Sequence, residues 1–341
     1  MGSHILGKTS LGIPFVDWLC MGGLSFILFF IFYISNIQPT ETSISSIPLV
    51  LSVLVNWPHF SATLHRLYGN KKYVSAFPFT SFLVPMVLFA GVGLALAEPI
   101  SFAPWFIKLY LLWSPYHYSG QAFGISMMYA MRAGMTVNSQ LRNALLVFVY
   151  GIYVYSIAKI ESGPVGLKYF GVSYPSLQLN PVIPWIAAAT VACSGFYLLW
   201  IFRDQRKKNG LKPPALMMLP LISLVLWLSI PISSVSMQYV PFFHSLQYFY
   251  IAGMTYGISA SNGRSKGIQL RWFGINLIGG VFLFWVLPRV TVITGRSLMI
   301  VEPIVIAAVQ IHHFFVDGVI WKLRDPRLKG KLPVNLAYAM R

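Results

Sequence analysis

Charge is what this chain lacks, and negative charge most of all. Only 8 of its 341 residues are Asp or Glu, and charged residues of both signs make up 10%. A soluble domain carries roughly 25%, so a water-facing globular protein is excluded. Cysteine is nearly absent too. Cys20 and Cys193 both fall in apolar runs, which leaves no disulfide framework and no thiolate metal site. No small-residue cleavage site follows the first apolar run, and the N-terminus misses the myristoylation pattern.

What is present is apolar: 56% of the residues are hydrophobic and 16% aromatic. A bilayer core about 30 Å thick takes about 20 apolar residues per helix. Runs of that kind fall at 14–37, 45–67, 76–97, 101–131, 141–158, 181–202, 214–231, 238–260, 272–288 and 300–323. The reading is all-α: a polytopic helix bundle of about ten transmembrane helices, forming a single domain over 1–341. With 1–13 and 324–341 both cytoplasmic, 20 of the 25 Lys and Arg lie on the cytoplasmic side. That bias is the positive-inside pattern and sets the orientation. The same bias accounts for the net charge of +17 as loop anchors against anionic lipid, not as a nucleic-acid surface. A multi-pass protein of the bacterial inner membrane is expected. Lys108, inside the fourth run, is expected to snorkel outward, and Asp17 to anchor the first helix. The longest outer loop, roughly 159–180, shows no chemistry in its sequence.

Histidine is the residue that stands out. Apart from His4, all lie in predicted spans: His59 and His65 in the second, His117 in the fourth, His244 in the eighth, His312 and His313 in the tenth. All these spans run from outside to inside. Each cluster has polar company at helical spacing: Gln121 follows His117 by four, Gln247 and Tyr248 follow His244 by three and four, and Asp317 follows His313 by four. Pro58, Pro115 and Pro241 precede histidines by one to three residues, where a kink widens a pocket. Ionisable groups in a membrane mark functional sites.

Neutral imidazole suits Zn, Cu, Fe and Ni. The expectation is an intramembrane metal site of His59, His117, His244 and His313, with His312 as an alternate or additional ligand. Asp317 is expected to orient a ligand or relay protons, and Gln121, Gln247 and Tyr248 to line the pocket. His65, beside Arg66, reads as interfacial. Depth is the difficulty. His244 lies 20 residues from the next cytoplasmic charge and His59 only 7, so His244 shares the site only if tilt, kinks or an early exit of its helix near Gly257 level the two.

An apolar pocket around such a site suits oxygen activation on a lipophilic substrate: a non-haem oxygenase using dioxygen, with Fe2+ as metal and copper or zinc as alternatives. A haem-binding electron carrier with two axial histidines, and a transporter or proton channel with a histidine relay, are the other readings. The segment FFHSLQY (242–248) resembles the histidine-bearing helix of the Brp/Blh-type β-carotene dioxygenases. That resemblance implies a non-haem iron held by histidines, with His244 the residue-level match. His59, His117 and His313 share only the arrangement of single histidines on separate helices. NWPHFSATLHRLYG and HHFFVDGVIWKLR resemble signatures of a bacterial family of histidine-rich polytopic membrane proteins. The HxxxH and HxxHH boxes of membrane desaturases and alkane hydroxylases are absent from the sequence.

Overall fold

The computed structural model describes residues 10–34, 46–163, 168–169, 171–230, 238–260 and 266–321. The expectations for Lys8, Arg264 and the basic tail 322–341 fall outside those residues. The described chain is helical apart from a two-residue antiparallel ribbon, Lys168–Tyr169 with Val172–Ser173. The long helices are α1 Pro14–Ile34, α2 Ser46–Tyr68, α3 Phe79–Ala97, α4 Pro99–Arg132, α5 Ser139–Glu161, α6 Val182–Asn209, α7 Ala215–Ser229, α8 Val240–Ala260, α9 Gly267–Thr294 and α10 Leu298–Ile320. Seven of them (α1, α2, α3, α5, α6, α9 and α10) are long and apolar enough to cross a membrane. The other three differ. Helix α7 is apolar but has 15 residues, about 22 Å of rise. Helices α4 and α8 carry His117, Gln121, His244 and Gln247, which dilute their apolar character.

Proline shapes several helices through one mechanism. Its ring clashes with the carbonyl four residues earlier, and its missing N–H leaves that carbonyl unbonded. For Pro58, Pro85 and Pro288 that carbonyl belongs to Leu54, Ser81 and Phe284. Each is the central residue of a five-residue π turn: Ser52–Asn56, Phe79–Leu83 and Phe282–Val286. The widened turn absorbs the clash without breaking the helix. Of the three prolines preceding histidines, only Pro58 acts this way. Pro115 lies inside continuous α4, and Pro241 is in the first turn of α8. A kink beside every histidine is therefore not what forms.

Helix α10 packs on α2, α3 and α4, while α8 packs on α1, α2 and α9. This brings α2, α4, α8 and α10 round a common centre. Helix α9 comes close to α2 at the π turn. A Cβ on Gly280 would sit 2.5 Å from the Trp57 carbonyl carbon, so only glycine fits there. Asp17 fixes the start of α1. Fully buried, it accepts from the Leu11 and Gly12 amides and from the hydroxyls of Tyr129 and Tyr250.

Lys108 does not snorkel. It is 6% exposed, and its Nζ lies 2.9 Å from Glu161 Oε1 and 2.7 Å from the Pro175 carbonyl. Tyr174 and the Leu177 amide also donate to Glu161. This clasp pins residues 174–177, after α5, onto α4, a structural role that their sequence does not show.

Candidate metal centre

Four imidazoles from four helices meet at one point. His59 comes from α2, His117 from α4, His244 from the beginning of α8 and His313 from the second half of α10. Their Nε2 atoms form a run of close contacts. His59 to His313 is 2.9 Å, His313 to His117 is 3.2 Å, and His117 to His244 is 3.1 Å. One ligand nitrogen from each lies within 4.8 Å of every other. All four residues are buried, His59 and His313 completely.

Hydrogen bonding among the rings does not explain these contacts. A ring nitrogen of neutral imidazole offers either one N–H or one lone pair. His313 Nε2 and His117 Nε2 each sit in two contacts, so at most two of the three contacts can be bonds. Four nitrogens drawn onto one cation would account for all three, the widest pair, within 4.8 Å, closing to at most about 4.2 Å. With Zn–N bonds of about 2.0–2.1 Å, tetrahedral neighbours stand about 3.3 Å apart. The donor set fits a borderline metal ion such as iron, copper or zinc.

The depth problem resolves at the far end of α8. Tyr256 packs against His65, with centroids 6.4 Å apart, and against Trp272. Helix α8 has thus reached the level of Arg66 eight residues before Arg264. His244 comes level with the other three.

Asp317 stands on an unexpected side. The carboxylate partner of a metal-bound histidine usually takes the ring nitrogen that faces away from the metal. Asp317 Oδ2 instead lies 3.4 Å from His313 Nε2 and 3.7 Å from His117 Nε2. The away-facing Nδ1 atoms of His59, His244 and His313 are buried and have no hydrogen-bond partner among the described residues. Aromatic rings jacket the site. Phe60 packs on His59 and His313, Tyr118 on His244, and Phe314 stacks on His117 at 4.6 Å.

Tyr248 sits edge-on to His59, with ring centroids 4.3 Å apart. Its hydroxyl is 2.6 Å from Thr63 Oγ1, which also lies 3.0 Å from Asp317 Oδ1. Thr63 has one proton. Donated to the carboxylate, it leaves the threonine oxygen to accept from Tyr248. Thr63 shares a face with His59, but only the fold reveals its bridging position.

Gln121 Nε2 donates to the His244 carbonyl at 2.9 Å and to Gln247 Oε1 at 3.1 Å. Gln247 Nε2 donates to the Met21 carbonyl at 3.0 Å, in the π turn where Gly22 breaks α1 with φ 149°. Gln247 is therefore a strut between helices and not pocket lining. His312 faces away from the centre. Its Nε2 is 3.2 Å from the Thr80 carbonyl and 3.3 Å from the Tyr68 hydroxyl.

A cavity of about 480 Å³ borders the centre. Trp113, His117, Gln121 and Gly124 of α4 form one wall, and Phe314 and Asp317 of α10 another. It reaches the surface beside Tyr116 and Gly318, both exposed. His117 and Asp317 are where the cavity touches the centre.

No protein-family model matches the chain, and no curated protein or solved structure matches it.

Proposed function

We propose that the chain is a multi-pass protein of the bacterial inner membrane that holds one iron(II) through His59, His117, His244 and His313 and oxygenates a lipophilic substrate with dioxygen. The observation that carries this reading is the convergence of four buried Nε2 atoms beside a largely apolar cavity. Bound there, iron supplies dioxygen activation. The protein's residues do the rest. Trp113, Phe314 and Gly124 give an apolar surface that keeps water away and accepts a flat or extended hydrocarbon. Tyr248 and Thr63 hold a proton path that ends at Asp317 Oδ1. Gln121 fixes α8 while presenting its amide to the cavity.

The membrane placement is supported by which helix ends touch. Arg296 donates to the Ala97 carbonyl and Lys159 to the Ser229 carbonyl, all at ends expected outside. Arg132 donates to the Ser10 carbonyl and Arg66 lies over the Trp321 ring, all at ends expected inside. The resemblance of 242–248 to carotenoid-cleaving dioxygenases is in keeping with an extended apolar substrate.

The other readings fare worse. A haem needs a flat macrocycle between its axial imidazoles, and nitrogens 2.9–3.2 Å apart leave no plane for one. A proton relay strings its histidines along the membrane normal, whereas these converge. Elemental analysis and a visible spectrum of detergent-purified protein test the proposal. About one metal ion per chain without a Soret band is expected. A Soret band, or no metal after loading with iron(II), overturns it.

A further inference from the structure

We infer that Asp317 is itself a metal ligand, which makes the centre a set of four nitrogens and one oxygen; this rests on the metal site proposed above. Asp317 lies one turn after His313 on α10, and its Oδ2 faces the Nε2 atoms of His313 and His117. Its separations, 3.4 Å from His313 Nε2 and 3.7 Å from His117 Nε2, are longer than a charge-assisted hydrogen bond. A charge-assisted N–H···O bond closes to about 2.7–2.9 Å, and at about 3.6 Å there is no bond. They do fit two donors on one ion. With ligand bonds of about 2.0–2.2 Å, donors at angles between about 90° and 120° stand about 2.8–3.8 Å apart. The Nε2–Nε2 contacts of 2.9–3.2 Å fall in that span, and so do both separations from Oδ2.

The second carboxylate oxygen is already engaged. Thr63 Oγ1 lies 3.0 Å from Oδ1 and is tied in turn to Tyr248. A carboxylate gripped at one oxygen and aimed with the other is how ligating carboxylates are held. Charge points the same way. A divalent ion among four neutral imidazoles leaves two positive charges uncompensated in a buried site, and such charge is costly without a counter-ion. Asp317 removes one, on the side that faces the cavity.

Cobalt(II) titration of the full-length, detergent-purified, metal-depleted protein tests this, comparing wild type with His244→Ala, Asp317→Asn and Asp317→Cys. Asp317→Asn keeps the shape and should fold; gel filtration checks it. Its cobalt affinity should fall by more than the roughly 10–100-fold that losing an outer partner costs, with altered visible bands. Asp317→Cys should gain a sulfur-to-cobalt charge-transfer band in the near ultraviolet, which the wild type lacks despite Cys20 and Cys193. If Asp317→Cys binds cobalt without that band and Asp317→Asn keeps wild-type affinity and spectrum, Asp317 is no ligand, while the four-histidine site stands. If wild type takes up no cobalt, or His244→Ala binds it as wild type does, the histidine site itself falls and this inference with it.

Discussion

Helices α6 and α10 look alike as strings of letters, since both are long, apolar and free of glutamine-rich or acidic runs. Their fates in the structure differ. Half of the α10 span is buried, against 17% for α6. Trp185, Ile186 and Phe196 of α6 are 77%, 61% and 72% exposed, whereas Ile304, His313 and Val316 of α10 are fully buried. The polar residues show why. On α6, Thr190 and Ser194 bond back to carbonyls of their own helix, Ile186 and Val191, so neither hydroxyl needs a partner on another helix. On α10, His313 and Asp317 find their partners on α2 and α4. Apolar content puts a helix in lipid; polar groups that cannot be satisfied within the helix draw it to the middle of the bundle.

The sharpest way to break that contrast is to remove what α10 contributes to the centre. His313→Ala, and likewise His117→Ala, should abolish bound metal and leave the bundle folded. Metal per chain by elemental analysis, with gel filtration alongside, reads both. Full metal content in either variant would mean that the convergence of imidazoles is packing alone.

Filling the cavity should separate substrate from metal. A Cβ on Gly124 meets no atom within 4 Å, so Gly124→Leu projects into the cavity that Gly124 lines. Metal content should stay at the wild-type level. Oxygen uptake driven by a membrane lipid extract should fall about 10- to 100-fold, the scale on which a misplaced substrate loses rate. The matching change on α6, Gly195→Leu, runs into Phe148, which lies 3.2 Å from a Cβ there. It should destabilise the α5–α6 packing without touching the cavity. Equal loss of uptake in both, at equal stability, would remove the cavity from the reaction.

Within one helix, the sequence is a good guide. Apolar run lengths locate the helices, and the four-residue step from His313 to Asp317 places both on one face. The sorting of histidines onto four of the apolar runs identifies the helices that meet. Relations between helices are not legible in this way, because they depend on rotation and depth that no single periodicity carries. Gln247 reads as pocket lining until Gly22 is seen to free the Met21 carbonyl. His312, adjacent to His313 in sequence, is turned by about 100° to Thr80 and Tyr68. Helix α8 meets α2 at Tyr256 and His65, and Lys108 meets Glu161 across 53 residues.

That last pair is a buried polar device remote from the histidines, and it should answer to stability alone. Glu161→Gln leaves the Lys108 ammonium short of its counter-ion at a site where both side chains are under 10% exposed. A loss of about 3–5 kcal/mol is expected, read as a lower thermal midpoint in detergent with metal content per folded chain unchanged. Pairing it with Lys108→Met should restore most of the loss, since replacing both charges avoids the stranded one. A drop in metal content that tracks the stability loss would tie the Lys108–Glu161 clasp to the centre.

The smallest effect should lie on the outward face of α6. Phe196 is 72% exposed, and in a bilayer that exposure is to acyl chains as apolar as the ring itself. Phe196→Ala exchanges one apolar contact for another, and the change should stay within about 0.5 kcal/mol, as at other sites away from packed cores. Phe314→Ala on α10 removes the ring stacked on His117 and should cost about 3–5 kcal/mol, with weaker metal binding. Thermal midpoints of both variants in lipid nanodiscs measure the difference. If Phe196→Ala proves as costly as Phe314→Ala, α6 does not face lipid there: something covers it, and its exposed aromatic face is an interface instead of a membrane boundary.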